Sequence, residues 1–192
     1  MKTRHSGARL YWLVIGPFLI VVALLAALGA TSAEILSAVR AYVGAESLWS
    51  KGQKDAIHHL ATYAESHDPI DFQKYLTAVA IPLGDRTARL ELQRPNPNRQ
   101  VAHRGFLEAG NHPGDVDPMI WLFLNFQHVP FMAEAIEIWT EGDIGIAEMD
   151  AVAQQVRSLV LTGGPNPTQL RALRDQLPAI DGKLAVLEER FS

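Results

Sequence analysis

The strongest constraint on this chain is an apolar run near its amino end. No side chain from Leu10 to Ala33 carries a charge, and the nine residues before that run include three basic ones. At about 1.5 Å per residue, a helix from Leu10 to Ala30 spans about 31 Å, close to the hydrocarbon thickness of a bilayer. We therefore predict one transmembrane anchor over residues 10–32. No second run of this kind occurs in the sequence.

The charges flanking the run predict its orientation. Basic residues favour the cytoplasmic side, so residues 1–9 are expected in the cytoplasm, and Tyr11 and Trp12 suit the headgroup level. The first acidic residue is Glu34. Residues 33–192 are then expected on the opposite, extracytoplasmic side. A cleaved signal peptide is the alternative, but the run is longer than the usual signal core of about 7–15 residues. Both interpretations export residues 34–192.

Composition limits the function of the exported part. Hydrophobic residues make up 48% of the 192 residues and charged residues 20%, which fits one globular domain. The net charge of −4 offers no basic surplus for a phosphate backbone, so nucleic acid is not an expected partner. The chain has no cysteine, which excludes disulfides, thiol nucleophiles and cysteine-ligated metals.

Helix signals punctuate the exported part. An Asx residue precedes proline at four places, and this pair suits an N-cap followed by the first helical position. These pairs are Asp68-Pro69, Asn96-Pro97, Asp117-Pro118 and Asn166-Pro167. Gly110 and Gly163-Gly164 follow apolar stretches and suit helix ends. Apolar residues between these signals recur at helical spacing.

The sequence thus predicts an all-α fold. The expected helices cover residues 33–66, continuous with the anchor; 69–93, broken near Pro82 and Gly84; 97–109; 118–161, kinked by Pro130; and 167–191, bent at Pro178. The long helices would alternate in direction, with the short one as a crossover. We expect a transmembrane helix continuous with an antiparallel four-helix-bundle-like domain, whose last helix returns towards the bilayer.

Two arginines near the Pro–Gly pair of the second long helix form the most interesting polar feature. Arg86 and Arg89 could receive a carboxylate or phosphate through forked hydrogen bonds, with Lys51 on the neighbouring helix. Alternatively, Arg89 and Glu91 are simply solvated, or Asp85 by itself satisfies Arg86 or Arg89. Tryptophans could wall such a site, although at helical spacing they also suit a core. The predicted ligand-binding residues are Trp49, Lys51, Arg86, Arg89, Asn111, His112 and Trp139.

Signals for catalysis or metal binding are weak. His112, Asp115 and Asp117 share one turn that could hold a cation, but turn and capping roles explain the same residues. The sequence has no nucleophile elbow, His-Glu-x-x-His motif or phosphate-binding loop. We therefore expect no enzyme, no cofactor and no metal. Metal-dependent hydrolysis remains a minor alternative.

Several longer stretches carry a resemblance. They are AVRAYVGAESLWSKGQKDAIHHLATYA, PLGDRTARLELQRPNPN, GFLEAGNHPGDVDPMIWLF and MAEAIEIWTEGD. The chain from about residue 38 to 191 resembles the N-terminal sensory region of bacterial transmembrane signalling proteins. In that group an anchored, all-helical extracytoplasmic region precedes a second span and cytoplasmic GGDEF, EAL, PAS or histidine-kinase modules. This sequence departs from the pattern because it contains no second span or output module, so it is a fragment, a truncated product or a stand-alone relative.

The resemblance implies a sensory input module of the bacterial inner membrane, with residues 33–192 in the periplasm. It would sense an unidentified small molecule and relay a signal through its membrane helices, and pairing of two copies is expected because two-fold symmetry is the commonest. The alternative is an envelope protein-interaction or dimerisation module without a small ligand. That alternative predicts a large exposed apolar patch and no polar-lined pocket.

Overall fold

The computed structural model describes residues 5–162 and 166–191, and side chains from residue 15 onward within those ranges. The side chains of Tyr11 and Trp12 and the expected helix stop at Gly163-Gly164 lie outside the described residues. Every regular element described is a helix, so the all-α class is confirmed. The helices are α1 (His5–Ser66), α2 (Pro69–Leu92), α3 (Arg99–Glu108), α4 (Pro113–Phe126), α5 (Pro130–Leu161), α6 (Pro167–Arg174) and α7 (Leu177–Phe191).

Helix α1 joins the apolar run to the rest of the chain. It continues for 62 residues with Pro17 inside it and no interruption. By length and composition it could cross a membrane once: its most apolar 18-residue window has a mean hydropathy of 2.2 and buries no residue. The exposed side chains include Phe18, Leu24 and Leu28. This part of α1 therefore contributes nothing to the described core.

A tight turn connects α1 to α2. His67 adopts a positive φ of 58°, and the Asp68 carboxylate then accepts a hydrogen bond of 2.8 Å from the backbone N–H of Ile70. Pro69 occupies the first turn as predicted. Near the turn the rings of Tyr63 and Phe72 lie 4.9 Å apart, so the two helices pack from their connection onward.

The predicted break in α2 is wrong. Helix α2 passes through Pro82 and Gly84 without interruption, and both are buried. A Cβ atom at Gly84 would lie 2.6 Å from the carbonyl oxygen of Gly105 in α3. Glycine here permits direct backbone contact between α2 and α3, and packing on both sides outweighs the hydrogen bond that proline removes.

Two other predicted helix starts are also wrong. Asn98, not Asn96, caps α3, accepting hydrogen bonds from the amides of the first helical turn. Helix α4 begins at Pro113 instead of Pro118, because the Nδ1 atom of His112 accepts from the N–H of Gly114 at 3.1 Å and caps the helix one turn earlier. Asn166 caps α6 as predicted.

The proline kinks predicted in the last two long helices are instead complete interruptions. Val129 is extended, with ψ of 137°, so α4 and α5 are separate helices. A residue before proline avoids the helical region, which explains the gap. The expected helix over 167–191 is likewise divided into α6 and α7, with Pro178 in the first turn of α7.

The buried side chains form two clusters. One joins α1, α2, α5, α6 and α7 around Leu60, Tyr75 and Met149. The other joins α1 to α5 around residues such as Ile120 and Phe123. Helix α1 contributes to both clusters. The site described next lies where the clusters meet.

Candidate functional site

A small, mostly apolar cavity of about 20 Å³ lies between α1, α2, α3, α4 and α5. Helical spacing places the lining residues of each helix on one face. The lining residues of α1 are three or four positions apart, and two of those in α2 (85 and 89) and both in α5 (139 and 143) are four apart. The lining residues are Tyr42, Ala45 and Trp49 of α1; Asp85, Arg86 and Arg89 of α2; Phe106 of α3; Met119 and Phe123 of α4; and Trp139 and Asp143 of α5.

Both predicted arginines face one carboxylate. Arg89 donates through a terminal nitrogen to Asp143 and through the other to Gln93 at 2.9 Å. The Nε atom of Arg86 lies 3.5 Å from Asp143 but makes no hydrogen bond and is buried. The side chains of Arg89 and Asp143 are only 5% and 15% exposed, whereas that of Arg86 is 42% exposed. Arg89 thus has a satisfied structural pair, and Arg86 keeps donor capacity.

Asp85 is the unusual group of the cavity. Both arginines pair with Asp143, so the alternative in which Asp85 satisfies one of them is wrong; within the described residues Asp85 forms no ion pair. It accepts one long hydrogen bond of 3.4 Å from the amide of Asn111. Burial raises the pKa of Asp85 to about 8; the Asn111 bond lowers it, and the charge of Asp143 raises it further. At neutral pH this carboxyl is mainly protonated.

Aromatic rings connect the cavity to α7. The ring of Trp139 lies 5.6 Å from that of Tyr42 and stacks on Phe191 at the same distance, with 23° between the planes. Tyr42 meets Phe106 edge to face and donates a hydrogen bond of 3.0 Å to the carbonyl of Met119. Burial raises the pKa of Tyr42, so its hydroxyl stays neutral. Helices α1, α5 and α7 thus share one ring cluster.

An open groove of about 320 Å³ adjoins the cavity. Tyr42 and Trp139 line both spaces, so these two rings separate one from the other. The groove is otherwise largely apolar, with Val39, Phe131 and Ile138 among its lining residues.

The structure brings together most of the predicted site. Four of the predicted residues line the cavity: Trp49, Arg86, Arg89 and Trp139. A fifth, Asn111, donates a hydrogen bond to Asp85. The other two predicted residues lie elsewhere.

Lys51 and His112 are not at the cavity. Lys51 is exposed and lines a separate groove with Leu48, Asp55 and His59. His112 is exposed and caps α4. Within the described residues no group of three or more His, Asp or Glu side chains is arranged to hold a metal ion, and the turn around His112 has the capping geometry given above.

Sequence reasoning missed the acidic half of the site. Asp143 follows Trp139 by four residues, so the spacing of a helix already places both on one face. Tyr42 precedes Trp49 by seven residues, which is again the same face. Asp85 was considered only as a partner for the arginines.

Comparison of the chain with protein-family models, with curated proteins and with solved structures finds no match.

Proposed function

We propose that this chain is the sensory input module of a bacterial membrane signalling protein. A small molecule would bind at the cavity, and the signal would travel along α1 into the membrane. The observation that carries the proposal is the position of α1: Tyr42, Ala45 and Trp49 form a wall of the cavity, and the same uninterrupted helix contains the apolar run.

Helix geometry gives the relay a physical basis. About 12 residues separate Tyr42 from Ala30, or about 18 Å of continuous helix. A helix transmits a tilt or piston displacement over that distance, provided that the ligand binds one arrangement better than another. The small size of the cavity supports this requirement, because a ligand larger than water needs a rearrangement of the wall.

Helix α7 would provide a second route. The Glu188 carboxylate accepts hydrogen bonds from Ser50 at 2.5 Å, Gln53 at 2.7 Å and Lys54 at 2.6 Å, all on α1. Despite burial, these bonds lower the pKa of Glu188, so the carboxylate is charged at neutral pH. Together with the Phe191–Trp139 stack, they tie the last described helix to both the cavity and α1.

The proposal includes a topology. Residues 1–9 are cytoplasmic, residues 10–32 form the anchor, and residues 33–192 form a periplasmic domain with an antiparallel four-helix-bundle-like arrangement. The module works as a homodimer, and its activity is signalling and not catalysis. Alkaline phosphatase fused after residue 66 tests the export: an active fusion is expected, and an inactive one would contradict the orientation.

Two spin labels test the sensing itself. The chain has no cysteine, so Ser47→Cys on α1 and Glu189→Cys on α7, both exposed, can be labelled specifically in the full chain in lipid nanodiscs. Pools of amino acids, organic acids, sugars and amines are then added. We expect one pool to change the label-to-label distance. A distance distribution that no pool alters would overturn the proposal.

Matched variants localise the effect. Arg86→Ala should abolish the response to the active pool, since Arg86 lines the cavity. Lys51→Ala is the control. It also removes a cation, but Lys51 lines a different groove, so the response should remain. Equal responses in both variants would place the ligand elsewhere.

A protein-interaction module is the second candidate function. The observation that favours it is apolar surface on α1 and α5: Leu36, Val43 and Phe131 are each more than half exposed. Affinity capture from solubilised envelope membranes tests it. Recovery of no partner, with the helical content preserved, would count against this candidate.

A further inference from the structure

The cavity contains one acidic and one basic side chain whose hydrogen-bonding capacity is only partly used. Asp85 accepts only the long bond from Asn111, and the buried Nε of Arg86 has no acceptor within hydrogen-bond geometry. Arg89 and Asp143 already satisfy each other. A buried polar group without a full partner costs stability, which a ligand of complementary charge would recover.

The rings around these groups favour a particular kind of cation. Tyr42, Trp49 and Trp139 line the same small space as Asp85. Electron-rich aromatic faces attract ammonium groups, and a carboxylate adds a direct ion pair. Arg86 offers the opposite complement, because a guanidinium donates best to a carboxylate. One ligand that serves both groups must carry both charges.

The neighbouring groove supplies the room. The cavity of about 20 Å³ has room for roughly one water molecule, but the groove beyond Tyr42 and Trp139 measures about 320 Å³. Its lining is largely apolar, with Val39 and Phe131 among its residues. A charged head in the cavity and a hydrocarbon tail in the groove would fit this pair of spaces once the rings turn.

We propose that the site binds an α-amino acid with an apolar side chain. Its ammonium group pairs with Asp85 among the aromatic rings, its carboxylate accepts from Arg86, and its side chain extends past the displaced rings of Tyr42 and Trp139 into the groove. This inference rests on the proposed sensory function and gives it a ligand class.

The inference has a pH signature. An ammonium group pairs with the charged form of Asp85, so binding below pH 8 releases a proton, and affinity rises about tenfold per pH unit between pH 6 and 7.5. The other titratable or charged groups lining the cavity are Tyr42, Arg86, Arg89 and Asp143. Burial raises the pKa of Tyr42, so its hydroxyl stays neutral over this range. Burial also raises the pKa of Asp143, but the ion pair with Arg89 opposes that rise.

Calorimetry on the full chain in nanodiscs tests the ligand class. Leucine and phenylalanine are titrated beside N-acetyl-leucine, which lacks the ammonium group, and leucine amide, which lacks the carboxylate. We expect binding of the free amino acids, at least tenfold weaker binding of both analogues, and tighter binding at pH 7.5 than at pH 6. Equal binding of either analogue, or no binding by any of the twenty amino acids, would overturn the inference.

Variants complete the experiment. Asp85→Asn keeps the size of the protonated carboxyl, so it should fold, which circular dichroism checks, yet it should bind leucine at least tenfold more weakly and without pH dependence. Lys51→Ala should bind like the parent. If no amino acid binds but another pool still changes the label-to-label distance, the proposed ligand class is wrong and the proposed sensory function is supported. If no pool changes the distance, both the ligand class and the sensory function are wrong.

Discussion

Replacement of Gly84 by alanine should destabilise the domain severely, although alanine favours helices. The added Cβ would lie 2.6 Å from the backbone nitrogen of Ala109, 2.6 Å from the carbonyl oxygen of Gly105 and 3.0 Å from the carbonyl carbon of Glu108. All three atoms belong to the backbone of α3 and its end, so no side-chain rotation relieves the contact. Helix α3 must move away from α2.

The expected size follows from two opposing terms. Overpacking costs about 1–3 kcal/mol, and backbone obstacles place this site near the upper value, about 3 kcal/mol. The better helix propensity of alanine returns about 1 kcal/mol. The net loss is about 2 kcal/mol, which lowers the melting temperature by about 4–8 °C in a chain of this size.

Thermal unfolding followed by circular dichroism in detergent measures this loss. Gly182→Ala is the matched control, since Gly182 also lies in a helix but a Cβ there meets nothing within 4 Å. It should raise the melting temperature slightly. If Gly84→Ala melts at or above the parent temperature, the close α2–α3 contact does not exist in solution, and the position of Asp85 beside Asn111 would also fall.

Three further outcomes are expected. Asp143→Ala leaves buried Arg89 unpaired and should cost about 3–5 kcal/mol in denaturant unfolding, whereas Glu148→Ala, which breaks an exposed pair with a lysine, should cost at most about 1 kcal/mol. Glu188→Ala removes a hydrogen-bond partner of fully buried Gln53 and should cost about 1–3 kcal/mol by the same measurement. Because the pKa of Asp85 is about 8 in the folded state, the folded protein binds a proton between pH 4 and 8 that the unfolded chain does not bind. Stability therefore falls as pH rises through that range, and Asp85→Asn should flatten this part of a plot of melting temperature against pH.

Local signals predicted the fold where chain geometry alone decides. Asp68 and Asn166 cap helices as expected, and Gly110 adopts a positive φ of 83° at the end of α3. The prediction was wrong at Pro82, because the packing of α2 between its neighbours overrides a local breaker. It was also wrong at Pro118, because an earlier proline offered an equally good start.

The site was partly predictable for a similar reason. Arg86 and Arg89 could be found from their place near a proline and a glycine, but their partner Asp143 lies more than 50 residues away in sequence. Only the tertiary structure brings Asp143 close to the two arginines. The sequence predicts Lys51 and Trp49 in the same site. Residues two positions apart in a helix, however, project about 200° apart, so these two cannot share a face. Helical phase is information that the sequence already contained.

The location of Asp85 favours a functional origin over a structural one. A carboxyl against aromatic rings, with one long hydrogen bond and a pKa raised to about 8, contributes less to folding than an apolar residue of similar size would. Perturbed titratable groups of this kind concentrate at binding and catalytic sites. This one lies at the seam between the two core clusters, beside Trp139, whose ring also contacts α1 and α7. A ligand that pairs with Asp85 and turns Trp139 would therefore act at the point where a small displacement reaches both helices at once.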